Sequence, residues 1–289
     1  MRCLFCKEDS SSTKSIEHII PESLGNKTIT LPRGYVCDKC NNYFSREIEK
    51  PFLERYDMRL LRFYEDVPSK RNKFPQLAGI MDGIPVEVKK EIYKGKITNS
   101  IGIPPELLLK HILFPQDNYQ MIVPAYSDDL LPPQDGITSR FIGKIALEAL
   151  AYKLSSLDDS LDQLIDDAQF DPIRNYVRRG APKAWPCHIR RIYSHRKAWL
   201  GSDEEAYQII HEFDFLMPGV TEVNESQPVQ AKLYFIIVLW GTEFAINLGG
   251  PYIEGYQAWL QEHDNVSLLY LGKKRFKQIK TVGANTVDY

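Results

Sequence analysis

Cys3-x-x-Cys6 and Cys37-x-x-Cys40 repeat one spacing, Glu17-His18 lies between them, and the second pair runs straight into Asn41-Asn42. Two cysteines separated by two residues can grip one metal ion without strain, and two such pairs complete the four-thiolate tetrahedron that zinc prefers. Chance rarely produces the spacing twice in a chain with five cysteines, so Cys3, Cys6, Cys37 and Cys40 are expected to hold a structural Zn2+. Redox-active pairs are the weaker alternative, and the fifth cysteine, Cys187, is expected to be a buried thiol.

A neutral imidazole can take a proton from water near neutral pH, which suits His18 to general-base work. Its neighbour Glu17 is a hard oxygen donor of the kind that holds Mg2+ or Mn2+. Adjacent residues of a regular strand face opposite ways, so both serve one reaction only if the backbone is irregular there. Pro21 and Leu24-Gly25-Asn26 supply the turn signals for that. An amide oxygen from Asn41 or Asn42 could complete the protein ligands of the catalytic ion. The plainer reading of the two asparagines is helix capping, since their side chains satisfy free backbone N–H groups. Ser45 and Glu49, further along that helix, read as surface residues.

The elements that must position these groups are short. Residues 1–62 hold too few large apolar side chains for a core of their own, so an ion is expected to supply much of the folding energy. Ile29–Leu31 and Gly34–Val36 suggest strands about a Pro32-Arg33-Gly34 turn, followed by a helical pattern at Phe44, Ile48, Phe52 and Leu53 that Pro51 interrupts. Residues 63–76 read as a linker. Residues 77–289 read as a larger mixed α/β domain for recognition or regulation, with hairpins about Lys94-Gly95 and Gly241-Thr242. Its clearest helix is Ser139–Leu154, with Ser139 as a possible cap and Ile142, Ile145, Ala146, Ala149 and Leu150 as the buried face. The expected class is α+β, a small zinc-stapled unit followed by the larger domain.

Glu17-His18-Ile19-Ile20-Pro21, Leu24-Gly25 and Val36-Cys37-Asp38-Lys39-Cys40-Asn41-Asn42 together resemble the HNH endonucleases of ββα-metal fold, and within them the subgroup bracketed by two zinc-binding cysteine pairs. The resemblance covers about the first 50 to 60 residues. It implies metal-dependent phosphodiester hydrolysis, usually of DNA, with His18 as general base, Glu17 as a ligand of the catalytic ion and Asn41 or Asn42 as the matching ligand. Two places depart from the pattern. Pro32 stands where many members carry the asparagine that buttresses the catalytic loop, and Asn26 is the alternative holder. The family's last histidine is replaced by Asn41 or Asn42.

Net charge is -2, so nucleic-acid contact must come from local patches. Pro172–Ser202 contains no acidic residue but carries Arg174, Arg178, Arg179, Lys183, Arg190, Arg191, Arg196 and Lys197, interleaved with Tyr176, Trp185, Tyr193 and Trp199. Such a stretch could grip phosphates and stack bases. It could equally pair with the acidic run Asp158, Asp159, Asp162, Asp166, Asp167 and Asp171 just before it. A second cluster lies at Lys273, Lys274, Arg275, Lys277 and Lys280. No apolar run reaches membrane-spanning length, and with no leader pattern a reducing, cytoplasmic setting is expected. DNA is the expected partner, RNA the alternative, and a homo-oligomer is open. The competing function is a zinc-stabilised nucleic-acid-binding module whose cleavage chemistry has degenerated.

Overall fold

The computed structural model describes residues 1–115, 118–157, 160–181, 184–200, 205–218 and 232–270. Strands β1 (Glu17–His18) and β2 (Thr30–Leu31) pair antiparallel, Glu17 opposite Leu31 and His18 opposite Thr30. Residues 34–36 form no strand, against expectation. Gly34 sits at φ +91°, and the Tyr35 carbonyl accepts from Leu4 N–H, so that segment is tied to the N-terminal cysteine turn instead.

Helix α1 (Asp38–Phe44) does not stop at its seventh residue. It passes through a π-helical turn (Ser45–Glu49) into α2 (Lys50–Leu53). Pro51 explains the turn: its ring has no N–H to donate and crowds the carbonyl four residues back, so the ladder loosens just ahead of it. The apolar side chains Phe44, Ile48 and Phe52 all stay buried through the irregularity. A short break then leads into α3 (Tyr56–Tyr64).

Beyond α3, strands β3 (Leu77–Met81), β4 (Ile84–Tyr93) and β5 (Lys96–Gly102), helix α4 (Pro105–Leu113) and strand β6 (Met121–Ile122) follow, the strands forming an antiparallel sheet in the order β5-β4-β3-β6. Lys94 and Gly95 make the expected two-residue turn, both at positive φ. One face of this sheet packs Leu77 and Val88 on Leu60 and Phe63 of α3. Residues 63–76 are therefore not all connector, since Phe63 and Val67 are both buried.

Helix α5 (Gly136–Leu154) is the spine of the molecule. Its N-cap is Asp135, which accepts from the Ile137 and Thr138 N–H groups, rather than Ser139, which lies buried in the first turn. Helices α6 (Ser160–Asp166) and α7 (Asp171–Arg179) follow. Then come β7 (Cys187–Arg191), β8 (Ala198–Leu200), β9 (Ala206–Gln208), β10 (His211–Leu216), β11 (Tyr234–Leu239), β12 (Thr242–Asn247) and α8 (Glu254–Glu262). Antiparallel β10-β11-β12-β7 form the second large sheet, and β8 pairs with β9. All six residues of β11 and of β12 are buried because α5 and α7 cover one face and α8 the other.

One apolar core runs from Cys3 and Leu4 through Phe44 and Phe52 to α5 and on to Ile246. Phe52 stacks on Phe141 at 4.0 Å, and Arg140 donates to the Tyr43 hydroxyl at 2.7 Å. The shortage of apolar side chains in the first 62 residues is thus made good by α5. The architecture is α+β, and no helix of the described residues is long and apolar enough to cross a membrane.

Candidate active site and metal centre

The four motif cysteines converge. Their sulfurs all lie within 4.8 Å of one another, and Cys6 Sγ is 3.7 Å from Cys37 Sγ. Sulfurs at the corners of a zinc tetrahedron with bonds of about 2.3 Å stand about 3.8 Å apart, so the set fits Zn2+. The Cys37 N–H donates to Cys3 Sγ at 3.3 Å and the Cys40 N–H to Cys37 Sγ at 3.4 Å, which orients the sulfurs and caps α1 at once. None of the four is in a disulfide. The centre therefore pins the N-terminus of α1 against the turn that precedes β1.

Glu17 and His18 lie in the paired strand β1, so the irregular backbone expected at them is found only after them, between β1 and β2. Pro21 leads into a single 3-10 turn (Glu22–Leu24) closed by Gly25 at φ +92°, where an added Cβ would meet Ile210 Cγ2 at 3.3 Å. Asn26 is the loop's clamp. Fully buried, it donates from Nδ2 to the carbonyls of Ile20 (2.7 Å) and Ile29 (2.9 Å) and accepts at Oδ1 from the Thr28 and Ile29 N–H groups. The exit of β1 and the entry to β2 are thereby tied through one amide, the buttressing that Pro32 cannot provide.

The 3-10 turn also places Glu22, which sequence reasoning passed over. Its Oε1 is 2.9 Å from His18 Nε2. This is an ion-pair contact, close enough for Glu22 to stabilise a protonated ring. Nδ1 is shielded and has no hydrogen-bond partner among the described residues. Burial lowers the His18 pKa below its ordinary 6.5, with Glu22 pulling the other way. The ring is held beside Glu22 on the cleft wall, and burial favours its neutral form.

Glu17 is buried at the edge of the cleft and meets Lys144 of α5. The Lys144 ammonium is fully buried and donates to Glu17 Oε1 (2.5 Å) and Glu148 Oε2 (3.0 Å), with Glu49 Oε1 at 2.8 Å. Burial works against the Lys144 charge, but the carboxylates of Glu148, Glu17 and Glu49 outweigh it and raise its pKa. Burial pushes Glu17 and Glu148 upward, with Lys144 opposing in each case. Lys144, Glu148 and Glu49 are the functional-site residues that periodicity hid. Lys144 and Glu148 sit on a helix buried around most of its girth, and Glu49 owes its direction to the π turn.

Glu17, His18, Asn41, Ser45 and Glu49 line one wall of an open cleft of about 1170 Å³. Asn41 faces this cleft, whereas Asn42 is exposed and lies outside its lining. The donors on that wall are carboxylate and amide oxygens, which fit Mg2+ or Mn2+. The cleft's charged rim is mainly basic: Lys14, Lys27, Arg33, Lys50, Arg59, Arg62, Lys70 and Lys73 against Glu17, Glu22, Glu49 and Glu54.

The basic stretch at 172–202 does not form one surface. Tyr176, Trp185, Tyr193 and Trp199 are all buried, so their faces offer no platform for bases. Arg174 is consumed by the Leu4 and Asp167 carbonyls and Asp171. Arg190 pairs with Glu243 at 2.5 Å, and Arg191 donates to the Asp128 and Trp240 carbonyls and the Tyr126 hydroxyl. Arg196 is exposed, Lys197 lies 4.5 Å over the Trp199 ring, and Arg178 and Arg179 flank a small hollow with Cys6 and Cys37. Lys183 and the cluster Lys273–Lys280 lie outside the described residues. From the acidic run, Asp162 and Asp166 pair with Arg2, and Asp171 with Lys7 and Arg174.

No curated protein and no solved structure matches the chain. A family model does: residues 3–57, which contain both cysteine pairs, the Glu17-His18 strand and the asparagine-bearing helix, match the model described as HNH endonuclease.

Proposed function

We propose that the protein is a metal-dependent endonuclease that hydrolyses phosphodiester bonds of DNA, with His18 as general base and Glu17 and Asn41 as ligands of one Mg2+ or Mn2+. The observation that carries this reading is the state of His18. It stands on the wall of a basic cleft beside Glu17 and Asn41, with Nε2 2.9 Å from Glu22. His18 takes the proton from the attacking water, and Glu22 stabilises the imidazolium that results. The divalent ion, when bound, supplies charge stabilisation at the leaving oxygen. Arg33, Lys50, Lys70 and Lys73 neutralise flanking phosphates along the rim. Asn42, outside the cleft, acts as a residue of the helix surface.

The four cysteines hold Zn2+ as a structural ion, since a closed thiolate shell leaves no position for substrate. Incubating the full chain and Mn2+ with supercoiled plasmid, and with a matched RNA, tests activity and substrate together. Nicked or linear plasmid with intact RNA is the expected result. Bound but uncut plasmid would leave a nucleic-acid-binding module in its place.

A further inference from the structure

The site contains charges that the family segment alone does not supply. Lys144 and Glu148 come from α5, outside residues 3–57, and Glu49 comes from the π turn. An uninterrupted α-helix would carry Glu49 about 80° around from Asn41. The π turn absorbs one residue and returns it to within about 20° of that face. Glu49 then lines the same cleft wall as Asn41 and Glu17.

Glu17 Oε1 and Glu49 Oε1 both contact the one Lys144 nitrogen, at 2.5 and 2.8 Å, so the two carboxylates stand side by side. Glu148, four residues on along α5, holds the ammonium at 3.0 Å, and its Oε1 is buried with no hydrogen-bond partner among the described residues. Glu17 and Glu49 thus converge on one ammonium at the cleft wall, and a divalent cation beside them would add a second counter-charge. Such an arrangement would be costly as a purely structural ion pair, because buried carboxylates are expensive unless fully compensated.

We infer that Lys144 is the positioning residue of the nuclease site: it holds Glu49 beside Glu17, and Glu49 is a further carboxylate ligand of the divalent ion. This rests on the proposed function above, because it presumes that Glu17 holds that ion. The helix of the second region thereby completes a site whose recognised motif ends before it.

The test is Mn2+ binding to the zinc-loaded full chain, read by the electron paramagnetic resonance signal of free Mn2+, with zinc content and thermal melting as controls of fold. Glu49→Gln keeps size and hydrogen bonding and is expected to weaken Mn2+ binding about 10-fold or more. Lys144→Met is expected to weaken it about 10- to 100-fold, because the two carboxylates repel and turn apart, while Lys144→Arg restores most of the loss. If Lys144→Met fails to fold, the double variant Lys144→Met/Glu148→Gln removes a positive and a negative charge together and is measured instead. Unchanged Mn2+ affinity in Glu49→Gln overturns the inference, as does tighter binding in Lys144→Met, which would mark the lysine as a competitor of the ion. If the parent binds no Mn2+, the metal-dependent reading itself fails. If Glu17→Gln loses the ion while Glu49→Gln keeps it, only the present inference fails.

Discussion

Lys144 Nζ lies 2.5 Å from Glu17 Oε1 across 127 residues of chain, with no water-accessible surface on the lysine. The contact joins the motif that defines the chemistry to a helix that no motif marks. It makes the family-matched segment and α5 one structural unit, and changes on either side are expected to be felt on the other.

The clamp at Asn26 should be the most sensitive position in the loop. Asn26→Ala removes four hydrogen bonds and strips the Ile20 carbonyl of its Nδ2 donor, a cost of about 1–3 kcal/mol. Asn26→Asp should be worse at neutral pH, since a carboxylate would face the Ile20 and Ile29 carbonyls where an NH2 group now donates. Thermal melts order the variants, and Asp more stable than Ala would contradict the role.

Removing the structural ion should weaken more than the first segment. Isolated zinc modules draw on the order of 10 kcal/mol from the metal. Here the cysteine turn shares its core with α5, so Cys37→Ala or a strong chelator should lower the melting midpoint of the whole protein by about 10 °C or more. Loss of zinc without any change in melting would show that the centre is ornamental to the fold.

The pH dependence follows from His18. Burial lowers its pKa below 6.5, and a general base acts in its neutral form, so the cleavage rate should rise with pH with its midpoint below 6.5 and then level off. Glu22→Gln removes the carboxylate that opposes this shift. The acid limb should move to still lower pH, while the plateau falls about 10- to 100-fold through loss of ring orientation. An acid limb that stays in place would separate Glu22 from the base.

Much of this site was legible from residue types and spacing. The cysteine pairs, Glu17-His18 and the candidate role of Asn26 all follow from local sequence, because turns and ligand spacings are local. The turn at Lys94-Gly95 was equally legible, since both residues sit at positive φ, whereas the second hairpin turns at Trp240-Gly241, one residue before the expected Gly241-Thr242. Three features were not. The strand expected at residues 34–36 is instead a segment bonded to Leu4, a long-range choice. Lys144 and Glu148 look like solvent positions in any amphipathic reading of α5, and only burial on several sides reveals them. The basic run at 172–202 looked like a surface because alternation of Arg with aromatics does not say which side chains a sheet and two helices will cover.

The two basic regions can be told apart by salt. Neutralising Lys70 and Lys73 on the cleft should reduce the slope of log affinity against log salt by about 2, at about 0.9 per phosphate contact. Arg190→Ala should leave that slope alone and cost about 3–5 kcal/mol of stability, because the fully buried Glu243 loses its partner. The reverse pattern would move the nucleic-acid surface to the second sheet.

The most direct test of the central claim compares the parent with His18→Ala on supercoiled plasmid in Mn2+, at protein concentrations that saturate binding for both. The account predicts nicked or linear DNA from the parent, none from His18→Ala, and equal zinc content and melting for the two. Cleavage by His18→Ala at the parental rate would contradict it.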